Sequence, residues 1–168
     1  PLPTIALVGY TNAGKSTLLN TLTKTDTAYV DNLLFATLDP VTRQVNLPGN
    51  TTVLLTDTVG FIRKLPHLLV AAFQATLEEV QSASLLLIVT DITSPDYKNQ
   101  LKVVMQVLSD LGASEKPLVY VYNKMDLLSP DERSAVLARY RSNKLTVPVS
   151  CITGEGIDTL LHIISQEI

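Results

Sequence analysis

Short apolar runs alternate along this chain with amphipathic stretches, and the period of each run sets its type. Thr4 to Val8, Leu85 to Asp91, Leu118 to Tyr122 and Leu145 to Val149 are strand-length stretches made mostly of apolar residues, with Leu85 to Val89 apolar throughout. Runs of that kind belong to strands covered on both faces. Between them, apolar residues recur every three or four positions. Leu18, Leu19 and Leu22 do so within Lys15 to about Lys24, and Leu69, Phe73, Leu77 and Val80 within about Leu68 to Gln81. Leu101, Val104, Met105, Leu108 and Leu111 form a third stripe, and Ile157, Leu160, Leu161 and Ile164 a last one. Each predicts a helix with one inward face.

Local signals place the ends. Gly112 stands where the third stripe stops, a helix C-terminal position. Ser129-Pro130-Asp131-Glu132 combines an N-cap serine, a first-turn proline and a glutamate three residues after the cap, so a helix opens there. Val41–Leu47 and Thr52–Thr56 flank Pro48-Gly49-Asn50, which predicts an antiparallel hairpin. The resulting order is an α/β fold with a six-stranded, mostly parallel sheet, one antiparallel edge strand, and helices on both faces. The longest connection, about Thr25 to Pro40, is long for a compact domain and reads as a functional loop.

Composition narrows the class. At 168 residues, 46% hydrophobic and 17% charged, residues 1–168 fit one domain with one core. The chain begins with Pro1 and enters a strand almost at once, so flanking domains of a longer protein are expected to be missing. No apolar run is long enough to span a bilayer, and no signal-peptide pattern opens the chain. A single cysteine, Cys151, allows no internal disulfide and fits a reducing, cytoplasmic setting. A net charge of −3 argues against direct binding of bare nucleic acid by this domain, which is driven by phosphate neutralisation, while leaving room for docking to a ribonucleoprotein through a local surface.

The chemistry is concentrated where strands end. Gly9-Tyr10-Thr11-Asn12-Ala13-Gly14-Lys15-Ser16 follows the first strand and enters the first helix. Its glycines let backbone N–H groups wrap phosphates, the helix N-terminus adds a favourable dipole, Lys15 reaches the β- and γ-phosphates, and the Ser16 hydroxyl suits Mg²⁺. A chance glycine turn is the bland alternative, and the strand–loop–helix context argues against it. Asp57-Thr58-Val59-Gly60 ends the third strand; alone it is a weak pattern, but here it neighbours the phosphate loop in the same sheet. Asp57 there can hold Mg²⁺ through water, and the Gly60 N–H can meet the γ-phosphate.

Asn123-Lys124-Met125-Asp126 follows the fifth strand. Asp126 can accept from guanine N1–H and the exocyclic amine together, a donor pair adenine lacks; mismatches of this type reach ~10⁴–10⁵-fold. Asn123 can bridge the base-side loops, and the Lys124 stem can pack over the ring. After the sixth strand, a backbone N–H within Ser150-Cys151-Ile152 can meet the guanine oxygen. These motifs point to GTP or GDP with Mg²⁺.

With these motifs the chain resembles the HflX family, within the translation-factor-like branch of P-loop GTPases with a G-domain fold. The resemblance is carried by Gly9 to Thr17, by Leu34-Phe-Ala-Thr-Leu-Asp-Pro40, and by Asp57-Thr-Val-Gly-Phe-Ile-Arg63 through Leu65-Pro-His67, and covers essentially the whole chain. It implies a GTP-hydrolysing switch that associates with the large ribosomal subunit and rescues or splits stalled ribosomes, here without the family's N-terminal domain. It also implies that Thr37 meets Mg²⁺ and the γ-phosphate; on sequence physics alone, Thr42 is a rival. It extends to potassium-stimulated GTPases, in which an Asn at the position of Asn12 coordinates K⁺. The alternative, that Asn12 only bonds the loop backbone, stays open. Cys151 stands where relatives usually have Ala, a departure that leaves the expected backbone contact intact. By motif, the residues expected to hold nucleotide are Asn12, Ala13, Gly14, Lys15, Ser16, Thr17, Asn123, Lys124, Asp126, Ser150, Cys151 and Ile152, with Lys15, Thr37 and Gly60 acting on the γ-phosphate.

Hydrolysis is less legible. Many related enzymes orient the attacking water with a Gln directly after D-x-x-G, and this chain has Phe61, which offers no hydrogen bond. Gln74 lies too far along to replace it, and Arg43, Arg63 and Lys64 read as solvated or partner-facing. Water positioning must then come from backbone, another residue or a partner, and a docking module with negligible hydrolysis is the rival reading. Other residues have plain readings: His67 and His162 lack ligand-spaced neighbours, Tyr120 and Tyr122 are strand residues, and Glu78 and Glu79 are helix surface. Tyr10 either shields the nucleotide or packs.

Overall fold

The computed structural model describes residues 1–23, 41–58, 60 and 77–168, and the statements below concern those residues. In chain order the elements are β1 (Thr4–Gly9), α1 (Lys15–Thr23), β2 (Val41–Leu47), β3 (Thr51–Asp57), a helix α2 described over 77–82, β4 (Leu85–Asp91), α3 (Tyr97–Asp110), β5 (Leu118–Asn123), α4 (Pro130–Tyr140), β6 (Thr146–Pro148) and α5 (Ile157–Glu167). The six-stranded sheet has the order β2-β3-β1-β4-β5-β6. Only the β2–β3 pair is antiparallel, with Val45 opposite Val53; the other pairings are parallel.

The apolar runs alternate between two cores because a strand sends successive side chains to opposite faces. Ile5, Leu7, Leu85, Leu87, Val119 and Val121 pack with α1 and α5 through Leu18, Leu19, Leu160 and Ile164. Ala6, Val8, Leu86 and Ile88 pack on the other face with Val80, Val104 and Leu108. Leu18 and Leu19 are fully buried; truncating either to Ala would cost about 2–5 kcal/mol. The first, third and last helix stripes therefore lie where the sequence puts them, although in the third only Val104 and Leu108 are fully buried.

Two helix ends follow their local chemistry. At the end of α3, the Gly112 N–H donates to the Ser109 carbonyl at 3.0 Å and the Ala113 N–H to the Leu108 carbonyl at 2.9 Å, the pair of hydrogen bonds that closes a Schellman cap. At the start of α4, the Ser129 hydroxyl accepts from the Glu132 N–H at 3.2 Å, and Glu132 accepts from the Ser129 N–H at 3.0 Å. The last strand is shorter than Leu145 to Val149: β6 covers Thr146–Pro148. Its pairing still runs past both ends, since Leu145 accepts from the Tyr120 N–H at 2.7 Å and the Val149 N–H donates to Tyr122 at 2.8 Å. Strand ends blur by a residue in this way. The predicted helix from Leu68 is described only over 77–82, and the long connection from Thr25 to Pro40 lies outside the described residues.

Candidate functional site

β1, β3, β4, β5 and β6 run parallel, so their carboxyl ends share one edge of the sheet. That edge is where ligands bind in open α/β sheets, and it gathers the loops after β1, β3, β5 and β6.

After β1, the Ala13 N–H donates to Tyr10 at 3.2 Å to fold the loop, and the Leu18 N–H donates to Gly14 at 2.9 Å, within the first turn of α1. Lys15 is buried at 7% exposure. Burial holds its ammonium below the ordinary lysine pKa, opposed by the attraction of Asp57. The Ser16 hydroxyl donates to Asp57 Oδ2 at 2.7 Å, so the helix-start hydroxyl and the β3-end carboxylate meet across 41 residues. The Thr58 hydroxyl donates to the Leu7 carbonyl at 2.7 Å and pins the loop after β3 onto β1. A side chain at Gly60 would come within 3.0 Å of Thr11 Cα, so glycine lets the two loops approach.

After β5, Asn123 is buried and reaches back to the phosphate loop, its Nδ2 donating to the Ala13 carbonyl at 3.2 Å and its Oδ1 accepting from the Lys124 N–H at 2.8 Å. Gly14, at φ +94, sits so close under Asn123 that a Cβ would collide with the amide. Lys124 takes the left-handed conformation at φ 75, costly for a residue with a side chain and a frequent mark of functional loops. Its ammonium donates to the Asn12 carbonyl at 3.0 Å and pairs with Asp91 at 3.1 Å. Asn12 is itself left-handed, at φ 66, and exposed.

The Asp126 carboxylate accepts from the Ser150 hydroxyl at 2.8 Å, and that hydroxyl accepts from the Thr153 N–H at 3.1 Å. The loop after β6 is closed by Gly154 N–H to Ser150 at 2.9 Å and Ser150 N–H to Glu155 at 2.9 Å. Arg133 of α4 grips the Glu155 carboxylate with both terminal nitrogens. Together these groups enclose a cavity of about 240 Å³ lined by Gly14 and Thr17, by Asn123, Lys124, Asp126 and Leu127, and by Cys151 and Ile152. Leu127 and Ile152 are 66% and 80% exposed, two apolar side chains held at the open rim. Cys151 Sγ lies 3.6 Å from Asn123 Oδ1, and burial raises its thiol pKa.

The expected residues Asn12, Ala13, Gly14, Lys15, Ser16, Thr17, Asp57, Gly60, Asn123, Lys124, Asp126, Ser150, Cys151 and Ile152 thus fall on one edge of the sheet. Thr37, Phe61, Arg63, Lys64, His67 and Gln74 lie outside the described residues. Thr42 is inside β2 with its hydroxyl 2.9 Å from that of Thr56, and Arg43 beside it donates to the Thr42 carbonyl at 3.2 Å. Tyr10 packs against the core under α2 and α3. Tyr120 and Tyr122 lie in β5, His162 and Glu78 are exposed, and Glu79 is half-buried. Sequence reading missed Asp91, Leu127, Arg133 and Glu155; the one signal was a carboxylate ending the apolar β4 run.

The family described as 50S ribosome-binding GTPase matches residues 4–124. GTPase HflX of Caldanaerobacter subterraneus is 54% identical over 169 aligned residues, covering 99% of this chain and 37% of the relative. GTPase HflX of Magnetococcus marinus is 52% identical, covering 96% of this chain and 36% of the relative. The chain therefore spans well under half the length of these curated relatives. A crystal structure of an Era variant from Aquifex aeolicus bound to GDP.AlF4⁻ superposes with a TM-score of 0.79 at 23% identity, covering 99% of this chain and 57% of that one; at that identity it speaks for the fold alone.

Proposed function

This chain belongs to the 50S ribosome-binding GTPase family as a G domain of the HflX kind, and we propose that within a longer cytoplasmic protein it is a GTP-binding, slowly hydrolysing switch acting at the large ribosomal subunit, in the rescue or splitting of stalled ribosomes. The observation that carries the nucleotide reading is the cavity shared by the phosphate loop and the two base-side loops, with Asp126 held toward it by Ser150. In this reading Asp126 accepts the two guanine donors, Leu127 and Ile152 flank the ring, and a backbone N–H at Ser150-Cys151-Ile152 meets the guanine oxygen. Backbone N–H groups of the loop from Asn12 to Thr17 cradle the phosphates, and Lys15 recovers by ion pairing what burial costs it.

Two hard oxygen donors 2.7 Å apart, Ser16 Oγ and Asp57 Oδ2, fit a Mg²⁺ held mainly by phosphate oxygens. Bound there, it would supply charge neutralisation at the β- and γ-phosphates. Thr37 joins Ser16 and Asp57 as its expected ligand, and the Gly60 N–H meets the γ-phosphate. The exposed, left-handed Asn12 suits a K⁺ beside the same phosphates. Phe61 favours a second reading, a docking module with negligible intrinsic turnover. GTP turnover with K⁺ or Na⁺ as sole monovalent cation, Mg²⁺ constant, separates the two. Stimulation by K⁺ that is lost in Asn12→Ala supports the ion-assisted enzyme. Equal rates near zero in both salts support the docking module, and a K⁺/Na⁺ ratio unchanged by Asn12→Ala removes the ion-ligand role.

A further inference from the structure

We propose that the face formed by the start of α3 and the end of α4 docks the phosphate backbone of RNA, in this setting the RNA of the large ribosomal subunit; the inference deepens the ribosome reading above and rests on it. The overall charge, 13 Lys and Arg against 16 Asp and Glu, argues against binding of bare nucleic acid by the chain at large, and this face is the local exception: Lys98, Lys102, Arg139, Arg141 and Lys144 gather here and all are exposed. Lys98 and Lys102 stand one turn apart on α3, so their stems leave the same helical face. A groove of about 670 Å³ between α3 and α4 is lined by both lysines with Tyr97 and Tyr140, and among the described residues no carboxylate lines it. Tyr140 also borders a hollow of about 610 Å³ whose rim carries Arg141 and Lys144. The one carboxylate on that rim, Glu155, is already gripped by Arg133. The cations therefore flank a shared aromatic ridge, and among the described residues the carboxylate of α3 itself, Asp110, is held by Gln106 outside the groove's lining.

The rings favour RNA over an acidic protein. Buried Tyr122 holds Tyr97 edge-on at 6.1 Å and Tyr140 edge-on at 4.7 Å. Arg139 donates to the Tyr97 hydroxyl at 3.2 Å and also bonds the Tyr140 hydroxyl, which leaves part of its five-donor guanidinium for a ligand. Half-buried rings fixed among cations make a stacking platform for bases beside a track for phosphates. Both rings pack on Ile92, Tyr122 and Met125 and keep part of their surface in the groove, which an acidic peptide would not need and a base can stack on. None of the five cations lines the nucleotide cavity, so the surface can be altered without touching that site.

The test uses the full chain with Lys98→Glu/Lys102→Glu and, separately, Arg141→Glu/Lys144→Glu, with GDP affinity as the folding control. Binding is measured to purified large subunits and to protein-free large-subunit RNA, between roughly 50 and 200 mM salt. Each pair should lower affinity at least ~10-fold on both targets and reduce the slope of log affinity against log salt by about 1–2, since each lost phosphate contact removes about 0.7–0.9. GDP affinity should stay within about twofold in both variants. Unchanged affinity and slope on RNA in both variants would overturn the proposal. Loss on intact subunits alone would assign the surface to a ribosomal protein and overturn it equally. If the unaltered chain ignores intact subunits, the ribosome reading fails for this domain acting alone, and the comparison on RNA still decides the surface.

Discussion

At the base end of the nucleotide site, side chains hold one another. Asn123 reaches Ala13, Lys124 reaches Asn12 and Asp91, Ser150 holds Asp126, and Arg133 grips the loop through Glu155. At the phosphate end, among the described residues, fewer side-chain ties link one loop to another. A buried lysine and one Ser16–Asp57 bond stand beside a loop of backbone N–H groups. The difference teaches where affinity and selectivity reside in this reading. Phosphate binding draws on backbone geometry and one buried charge, which any nucleoside triphosphate can use. Base choice draws on a network of side chains already bonded to one another, so little reorganisation remains when a ligand enters. Damage at the phosphate end should therefore remove binding of all nucleotides, while damage at the base end should change which nucleotide binds or how long it stays.

The sharpest break at the phosphate end is Lys15→Ala. It removes the buried cation, and triphosphate affinity measured by fluorescent-nucleotide titration should fall more than ~100-fold, as expected when a buried charged partner is lost. Equal affinity would sink the phosphate-loop assignment. Gly14→Ala lies between the two ends, adding a Cβ against Asn123 at a φ of +94. It should weaken GDP and GTP alike by about 10-fold or more, a backbone strain of 1–3 kcal/mol being typical. A normal affinity would show that the Asn123 contact yields easily.

Arg133→Ala cuts the tie between α4 and the loop after β6. The pair is about one-third exposed, with side chains 37% and 29% accessible, so the effect should be modest: GDP release faster by about 2–5-fold, within the range of exposed ion pairs, with turnover of bound GTP unchanged. A slower release, or a turnover defect of equal size, would contradict a purely positioning role. The smallest change is Glu132→Gln, at the opening of α4. Hydrogen bonds from Ser129 hold the Glu132 pKa below its ordinary 4.5. Its contribution is thus fully present above that unfolded value and fades as pH falls through the lower folded one. The variant should melt slightly lower than the parent at neutral pH and converge with it in acid; a gap that widens in acid would reverse the sign.

How much was legible beforehand depended on the range of the interaction. The bounds of β2 and β4 follow from runs whose apolar residues face one or two cores, and the α4 start follows from four consecutive residues. The site motifs were readable for the same reason, each being a local string at a strand end. Lys124 with Asp91, 33 residues apart, and Arg133 with Glu155, 22 apart, leave no local pattern, because only the sheet order brings them together. β6 is one residue shorter at each end than the apolar stretch; at its start Leu145, though apolar, is 37% exposed and only its carbonyl joins the sheet. The role of Thr42 as a rival to Thr37 depended on where β2 begins, and its hydroxyl lies on Thr56 within the hairpin.

The most direct test of the central claim exchanges the base reader and asks whether the preference follows it. Affinities for guanosine and xanthosine diphosphates are measured for the parent chain and for Asp126→Asn, with melting temperature as the folding control. The account predicts that the parent prefers the guanine nucleotide and that Asp126→Asn reverses the preference, a combined swing of at least ~10²-fold, since xanthine presents an acceptor where guanine presents its exocyclic donor. A folded variant that loses both nucleotides equally, or keeps the parent's preference, would contradict the assignment of Asp126 as the residue that reads the base.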